Sequence, residues 1–127
     1  MVEKAFKDSN CIVLSHDSLF KPTTSDEEWV SYLGERDWIA VTKDLALTRN
    51  QLVIALVRLY KIGLFALRHA NLTDVEQYSI FMSAIPKMKK FIKQNSKPFI
   101  VRIRKSNPKK SRKQKHLKIN IELVRTL

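Results

Sequence analysis

The sequence predicts a three-layer α/β fold, in which a mostly parallel sheet is flanked by helices and followed by a C-terminal β-hairpin. Short apolar runs alternate along the chain with amphipathic segments of helical period, which is typical of parallel sheets covered by helices. Near the carboxyl end the period changes to two, which is typical of half-buried antiparallel strands. The chain has 127 residues, 44% of them hydrophobic, which suits a single domain over residues 1–127.

Three short apolar runs predict the parallel strands. They are "CIVLS" (Cys11–Ser15), "WIAVT" (Trp38–Thr42) and "LFAL" (Leu64–Leu67). Their apolar composition favours buried strands, and polar or turn-forming residues bound each run. The stretch "HDSLFKPTT" after the first run is predicted to be a loop, because Pro22 disfavours regular structure there.

Two shorter helices are predicted among these strands. Ser25 and Glu28 fit a capping box, and Gly34 is the expected end of the helix that they begin. A second helix is predicted over residues 50–61, with Gly63 as its stop.

A longer helix is predicted from the capping box of Thr73 and Glu76 to the region of Lys93. Apolar residues recur there at steps of three and four, and Pro86 is expected to kink or end the helix. These apolar positions are Tyr78, Phe81, Ile85, Met88 and Ile92.

The terminal hairpin is predicted from "PFIVRIRK" and "HLKINIEL", because both segments alternate apolar and polar residues. The first segment puts Phe99, Val101 and Ile103 on one face and its arginines on the other. The connection between the two strands is strongly basic, so we expect a basic loop over residues 105–118 within the domain.

Charge is distributed unevenly along the chain. Residues 1–48 carry 5 basic and 9 acidic residues, whereas residues 49–127 carry 19 basic and 3 acidic ones. Between Lys87 and Lys118 there are fourteen basic residues and no acidic one. This asymmetry favours a nucleic acid as partner, and the alternatives are a solvated basic face and an anionic lipid surface. The residues that we expect to bind nucleic acid are Lys105, Lys109, Lys110, Arg112, Lys113 and Lys115.

The single cysteine, Cys11, excludes an internal disulfide and a thiolate zinc site, and it fits a reducing cytoplasm. No apolar run is long enough to span a bilayer. Met1 is followed by charged residues instead of an apolar signal segment. We therefore expect a cytoplasmic protein without a membrane partner.

Six of the twelve acidic residues lie between Ser25 and Asp44, although the formal net charge of the chain is +12. Asp44 follows the "WIAVT" strand, and ligands of open parallel sheets bind beyond the carboxyl ends of the strands. Asp26 precedes Trp29 by three residues in the first turn of a helix, so the two share its inward side. We therefore expect Asp26 and Asp44 to meet at one edge of the sheet.

Converging carboxylates raise one another's pKa unless a cation neutralises them, and Mg²⁺ or Mn²⁺ suits oxygen ligands beside phosphate. Such an ion activates water and stabilises the leaving oxygen of a phosphodiester. The competing interpretation is structural, because acids favour the first turn of any helix and aspartates are common in turns. Glu28 is expected to serve as the capping partner, and Glu27 to point partly sideways.

"DEEW" followed by "GERDWIAVTKD" resembles the PIN-like domains of bacterial VapC-type toxins. In that family a D-E-x-W helix start leads to a G-E-x-G-W strand that ends in T-K-D. The later order of elements is similar too, with "NLT" opening a long helix before "PFIVRI". The likeness covers the chain from Ile12 to Ile103.

The resemblance implies a metal-dependent endoribonuclease fold in which carboxylates surround Mg²⁺ or Mn²⁺. Asp26 matches the family's acid at the helix start, and Asp44 matches its acid at the strand end. The resemblance therefore implies that both are metal ligands and catalytic residues. Glu27 is a candidate accessory ligand and catalytic residue. The resemblance also implies RNA as substrate and a small antitoxin protein as candidate partner. A homodimer is a further candidate assembly.

The first strand of the family, which carries an aspartate, has no counterpart in this chain, because only "MVEKAFKDSN" precedes "CIVLS". We therefore expect an amino-terminally incomplete domain with weakened metal binding and little catalysis. The favoured function is that of an endoribonuclease toxin. The alternatives are a nucleic-acid-binding protein with a nuclease-derived fold that does not cut, and a module whose basic loop binds an acidic protein.

Overall fold

The computed structural model describes residues 6, 8, 11–67, 72–105 and 121–127. In this part of the chain a four-stranded sheet has the order β1-β2-β3-β4. The first three strands are parallel, and β4 is antiparallel to β3. The predicted α/β class, mostly parallel sheet and terminal antiparallel pair are therefore confirmed. The strands are β1 (Ile39–Thr42), β2 (Gly63–Leu67), β3 (Phe99–Lys105) and β4 (Ile121–Arg125).

Helices cover both faces of the sheet. Alternate residues of β2 face the two layers, so that Leu64 packs with α2 and α3, whereas Phe65 packs with α4. Among the described helices, none is both long and apolar enough to cross a membrane. The helices are α1 (His16–Leu19), α2 (Asp26–Arg36), α3 (Gln51–Tyr60) and α4 (Asp74–Gln94), and a 3₁₀ helix (Leu45–Arg49) follows β1.

The start of α2 agrees with the sequence, but its end does not. The Ser25 hydroxyl accepts a hydrogen bond from the Glu28 backbone N–H at 3.2 Å, which confirms Ser25 as the N-cap. The helix continues through Gly34 and ends where Asp37 adopts a left-handed conformation, with φ 57°. The prediction that Gly34 ends the helix is wrong. A Cβ at Gly34 would lie 2.8 Å from the Tyr60 carbonyl oxygen, so this glycine permits the close approach of α3.

Gly63 also has a different role from the predicted one. Lys61, with φ 53°, ends α3 in the left-handed conformation, and Gly63 is already the first residue of β2. A Cβ at Gly63 would collide with the Phe99 ring on β3 and with the Ile39 side chain on β1. This glycine is therefore needed for packing within the sheet and does not end a helix.

The long helix α4 begins as predicted and does not end at its proline. The Thr73 hydroxyl accepts from the Glu76 N–H, and the Glu76 carboxylate accepts from the Thr73 N–H, which completes the capping box. Pro86 lies inside the helix on its exposed side. The ring is therefore accommodated toward solvent, and the helix continues to Gln94.

The predicted strand Cys11–Ser15 is not a strand in the structure. The Ile12 side chain is 97% exposed and that of Leu14 is 52% exposed. A strand exists only if a neighbour takes up its backbone hydrogen bonds, and the described residues supply no such neighbour here. The loop predicted after it contains one helical turn, α1, whose N-cap is Ser15.

The hairpin pairs β3 with β4 in the register Ile103–Leu123 and Arg104–Glu122. Phe99, Val101 and Ile103 are buried on the α4 face, as the alternation predicts. The observed second strand begins at Ile121. Residues 106–120, which include most of the predicted basic loop, lie outside the described residues.

Candidate metal and nucleic-acid site

The segments that carry the predicted metal-binding residues lie at the carboxyl edge of β1. Both α2 and α3 lie on one face of the sheet, and each is followed within three residues by a parallel strand. Both helices therefore run antiparallel to the strands, and their first turns lie at the carboxyl edge. The start of α2, the 3₁₀ helix after β1 and the start of α3 share this edge.

A cavity of about 280 Å³ lies beside β1. All four residues of β1 line it, together with Trp29 from the first turns of α2. Leu14 and residues of α1 line it as well. The wall is mostly apolar, and Thr42 contributes a hydroxyl at the carboxyl end of β1.

Asp26 lies at the start of α2 and is half-buried. Its Oδ1 accepts a hydrogen bond of 2.9 Å from the Trp29 indole Nε1. Trp29 lines the cavity, so Asp26 is connected to the cavity wall through this hydrogen bond, although Asp26 itself is not a lining residue. The hydrogen bond fixes the direction of the carboxylate and uses only one of its two oxygens.

Asp44 is exposed and caps the 3₁₀ helix that follows β1. Its Oδ1 accepts from the Ala46 backbone N–H at 3.0 Å, and its own N–H donates to Thr42 Oγ1 at 3.0 Å. Asp44 is therefore bonded to Thr42, which lines the same cavity as Trp29, although Asp44 itself is not a lining residue. If Asp44 served only to stabilise the turn, its Oδ1 would account for that role. The other oxygen, Oδ2, has no partner among the described residues.

Glu27 is directed sideways, toward the neighbouring helix. Its Oε1 accepts a hydrogen bond of 3.3 Å from the hydroxyl of Tyr60, the last residue of α3. Desolvation raises the pKa of Tyr60 above its ordinary value of 10.0, and the charge and hydrogen bond of Glu27 add to this, followed by the charge of Glu35. Glu28 Oε1 accepts a hydrogen bond of 3.2 Å from the Ser25 hydroxyl. A capping box needs the N-cap backbone N–H as donor to this carboxylate, a bond that the structure shows at Thr73 and Glu76 and not between the described residues Ser25 and Glu28.

The chemistry of the two aspartates suits a hard divalent ion. In the part of the chain that the structure describes, no three His, Cys, Asp or Glu side chains come together as a metal site. Mg²⁺ is commonly held by one or two carboxylates, while water and substrate phosphate complete its coordination. Asp26 and Asp44 each have one carboxylate oxygen without a partner among the described residues, so each is chemically able to serve as such a ligand.

Sequence reasoning missed Arg102 and Thr48 as part of this edge. Arg102 Nε donates a hydrogen bond of 3.1 Å to Thr48 Oγ1, and Thr48 is only 4% exposed within the 3₁₀ helix. The only signal in the sequence was the position of Arg102 opposite the apolar face of β3. Among the predicted nucleic-acid-binding residues, Lys105 ends β3 and the others lie outside the described residues.

A family model described as a PIN-like domain matches residues 1–69, slightly more than half of the chain. The matched range contains α2, β1, the 3₁₀ helix, α3 and β2, and therefore both Asp26 and Asp44. No curated protein and no solved structure matches the chain.

Proposed function

Because this chain belongs to the PIN-like domain family, we propose that it is a metal-dependent endoribonuclease of the VapC type. In this proposal it is the toxin of a toxin–antitoxin pair and acts on RNA in the cytoplasm. The observation that supports it best is that Asp26 and Asp44, both within the family match, each contact a residue that lines one cavity.

In this proposal Asp26 and Asp44 hold Mg²⁺ or Mn²⁺, with Glu27 as an accessory acid. The bound ion supplies charge stabilisation to the reacting phosphodiester and activates water. Trp29 orients the Asp26 carboxylate, and the Ala46 N–H orients that of Asp44. The basic carboxyl-terminal half attracts the RNA, since Lys and Arg neutralise phosphates and release counterions.

Isosteric substitutions of the two aspartates test the nuclease. The sequence predicts little catalysis, so the purified chain is expected to cleave single-stranded RNA slowly with Mn²⁺ or Mg²⁺ and to lose even this activity in EDTA. D26N and D44N each abolish cleavage while RNA binding persists. The matched control is D74N, because Asp74 is also the first residue of a helix but lies on α4, on the other face of the sheet.

The control separates the functional interpretation from the structural one. If helix-start acids serve only the helix dipole, D26N and D74N will have the same small effect on stability and none on cleavage. Cleavage that survives D26N and D44N would overturn the proposed site. As a test of the toxin, induced expression of the wild-type chain arrests bacterial growth, and expression of D44N does not.

A non-cutting nucleic-acid-binding protein is the second candidate function. It is favoured by the fourteen basic residues between Lys87 and Lys118 in a stretch without acids. This candidate predicts salt-sensitive RNA binding that D26N leaves unchanged, with no cleavage by the wild-type chain in either metal.

A further inference from the structure

Arg102 is a half-buried cation on the sheet face that carries α2 and α3. Its neighbours on β3, Val101 and Ile103, face α4, whereas Ile100 packs with α2 and α3. Because side chains alternate along a strand, Arg102 shares the side of Ile100. In the sheet register it lies between Ala66 of β2 and Val124 of β4, which carry no charge.

The orientation of the guanidinium is fixed through one nitrogen. Arg102 Nε donates to Thr48 Oγ1 at 3.1 Å, and the same hydroxyl donates to the Leu45 carbonyl oxygen at 2.7 Å. Thr48 lies in the 3₁₀ helix whose N-cap is Asp44. Arg102 is therefore anchored to the short element that also holds one of the two aspartates.

The remaining nitrogens of Arg102, Nη1 and Nη2, have no partner among the described residues, and no carboxylate in that part of the chain forms an ion pair with them. Arg104, two residues further along the same face, is different because its Nε and Nη2 both donate to Glu122 at 3.1 Å. A partly buried charge without a counter-charge is unfavourable unless an anion completes its environment. The free edge of a guanidinium matches the oxygens of a phosphate.

We propose that the Arg102 guanidinium binds a backbone phosphate of the RNA at the carboxyl edge, beside the 3₁₀ helix that Asp44 caps. This inference rests on the proposed nuclease function for the identity of the anion. Arg102 positions the strand, whereas the basic segment of residues 105–118 adds affinity that does not depend on register.

Binding measured without turnover tests the proposal. A short fluorescent single-stranded RNA is titrated in EDTA at several salt concentrations, and Kd is read from fluorescence anisotropy. R102Q is expected to weaken binding about tenfold, because it removes a charge-assisted hydrogen-bonded pair. It should also lower the slope of log Kd against log salt by about 0.7, the value for one phosphate contact on a single strand.

Two further variants serve as controls. R58Q removes the same charge from Arg58, an exposed residue near the carboxyl end of α3, and this end of the helix lies at the amino edge of the sheet. Because a surface charge is screened by salt, R58Q should leave Kd within about twofold of wild type. T48V keeps the Arg102 charge but removes its anchor, and should weaken binding less than R102Q while leaving the salt slope unchanged. Thermal melts confirm that each variant is folded.

A folded R102Q protein that binds RNA like R58Q overturns the proposal. If R102Q does not fold, R102K takes its place, and wild-type affinity in R102K overturns the role of the guanidinium. The nuclease function is tested separately. If the wild-type chain does not cleave RNA in Mg²⁺ or Mn²⁺ but R102Q still weakens RNA binding, the nuclease function fails and the role of Arg102 in binding stands.

Discussion

The Tyr60 hydroxyl donates a hydrogen bond to Glu27 Oε1 across the groove between α2 and α3. The close approach of the helix backbones at Gly34 brings Tyr60 alongside α2. From there its ring reaches back to the first turn of that helix. The contact draws the Glu27 carboxylate along the groove, whereas Asp26, one residue earlier, is bonded to Trp29 beside the cavity.

This difference predicts unequal roles for neighbouring acids. E27Q should lower metal-dependent RNA cleavage by no more than about tenfold, the scale of a supporting interaction, whereas D26N should abolish it. Initial rates in Mn²⁺ measure both effects. Y60F is the matched control, because it removes the partner of Glu27 and leaves its charge. Equal losses in E27Q and D26N would show that Glu27 is a full metal ligand.

The indole of Trp29 predicts a supporting role in metal binding. W29F removes the donor to Asp26 Oδ1 and keeps an aromatic ring at the cavity wall. Metal affinity, measured by calorimetric titration with Mn²⁺, should fall about tenfold. The only other tryptophan, Trp38, is 36% exposed and packs edge-on against Tyr32, so W38F is the control. Unchanged affinity in W29F would separate Trp29 from the site.

The Arg104–Glu122 pair predicts how the hairpin responds to acid. Hydrogen bonding to Arg104 holds the pKa of Glu122 below the ordinary value of 4.5. Burial opposes this effect, and the charge of Arg104 adds a smaller lowering. Since the folded-state pKa is the lower one, the pair stabilises the fold above pH 4.5 and loses this contribution as the pH falls through the folded-state pKa. E122Q should therefore show a shallower loss of stability with acid. Chemical denaturation across this pH range measures the difference, and parallel curves would contradict it.

The basic segment between β3 and β4 predicts affinity without sequence preference. Replacing Lys109, Lys110, Arg112 and Lys113 by glutamine should lower the salt slope of RNA binding by about 0.7 for each phosphate contact that is lost. Binding to two RNAs of equal length and different sequence should weaken alike. An unchanged slope would mean that these side chains are only solvated.

The elements that were predicted correctly have local signals. Ser25, Thr73 and Glu76 mark helix starts through contacts within one turn, and the apolar alternation from Phe99 to Ile103 marks a strand with one face toward α4. Asp26 begins α2 and Asp44 follows β1, as the sequence indicates. Their shared role in binding a metal ion stays a prediction.

The predictions that failed depend on contacts between distant residues. Gly34 and Gly63 look like helix stops in the sequence, but their lack of a Cβ serves contacts with Tyr60 and Phe99. The segment Cys11–Ser15 has the composition of a strand, whereas strand formation needs a partner that composition does not reveal. The hydrogen bond that positions Arg102 is made with Thr48, 54 residues earlier in the chain, so the sequence near Arg102 does not indicate it.

The order of the strands in the sheet is also their order in the chain, β1-β2-β3-β4. During synthesis, each of β2, β3 and β4 therefore meets a partner that the ribosome has already released. The unit from α2 to β2, which contains both aspartates, can pair its two strands before α4 emerges. The strand that carries Arg102 comes later. If pairing follows the order of synthesis, the segments that carry the two aspartates pair before the strand with the candidate phosphate-binding arginine reaches the edge.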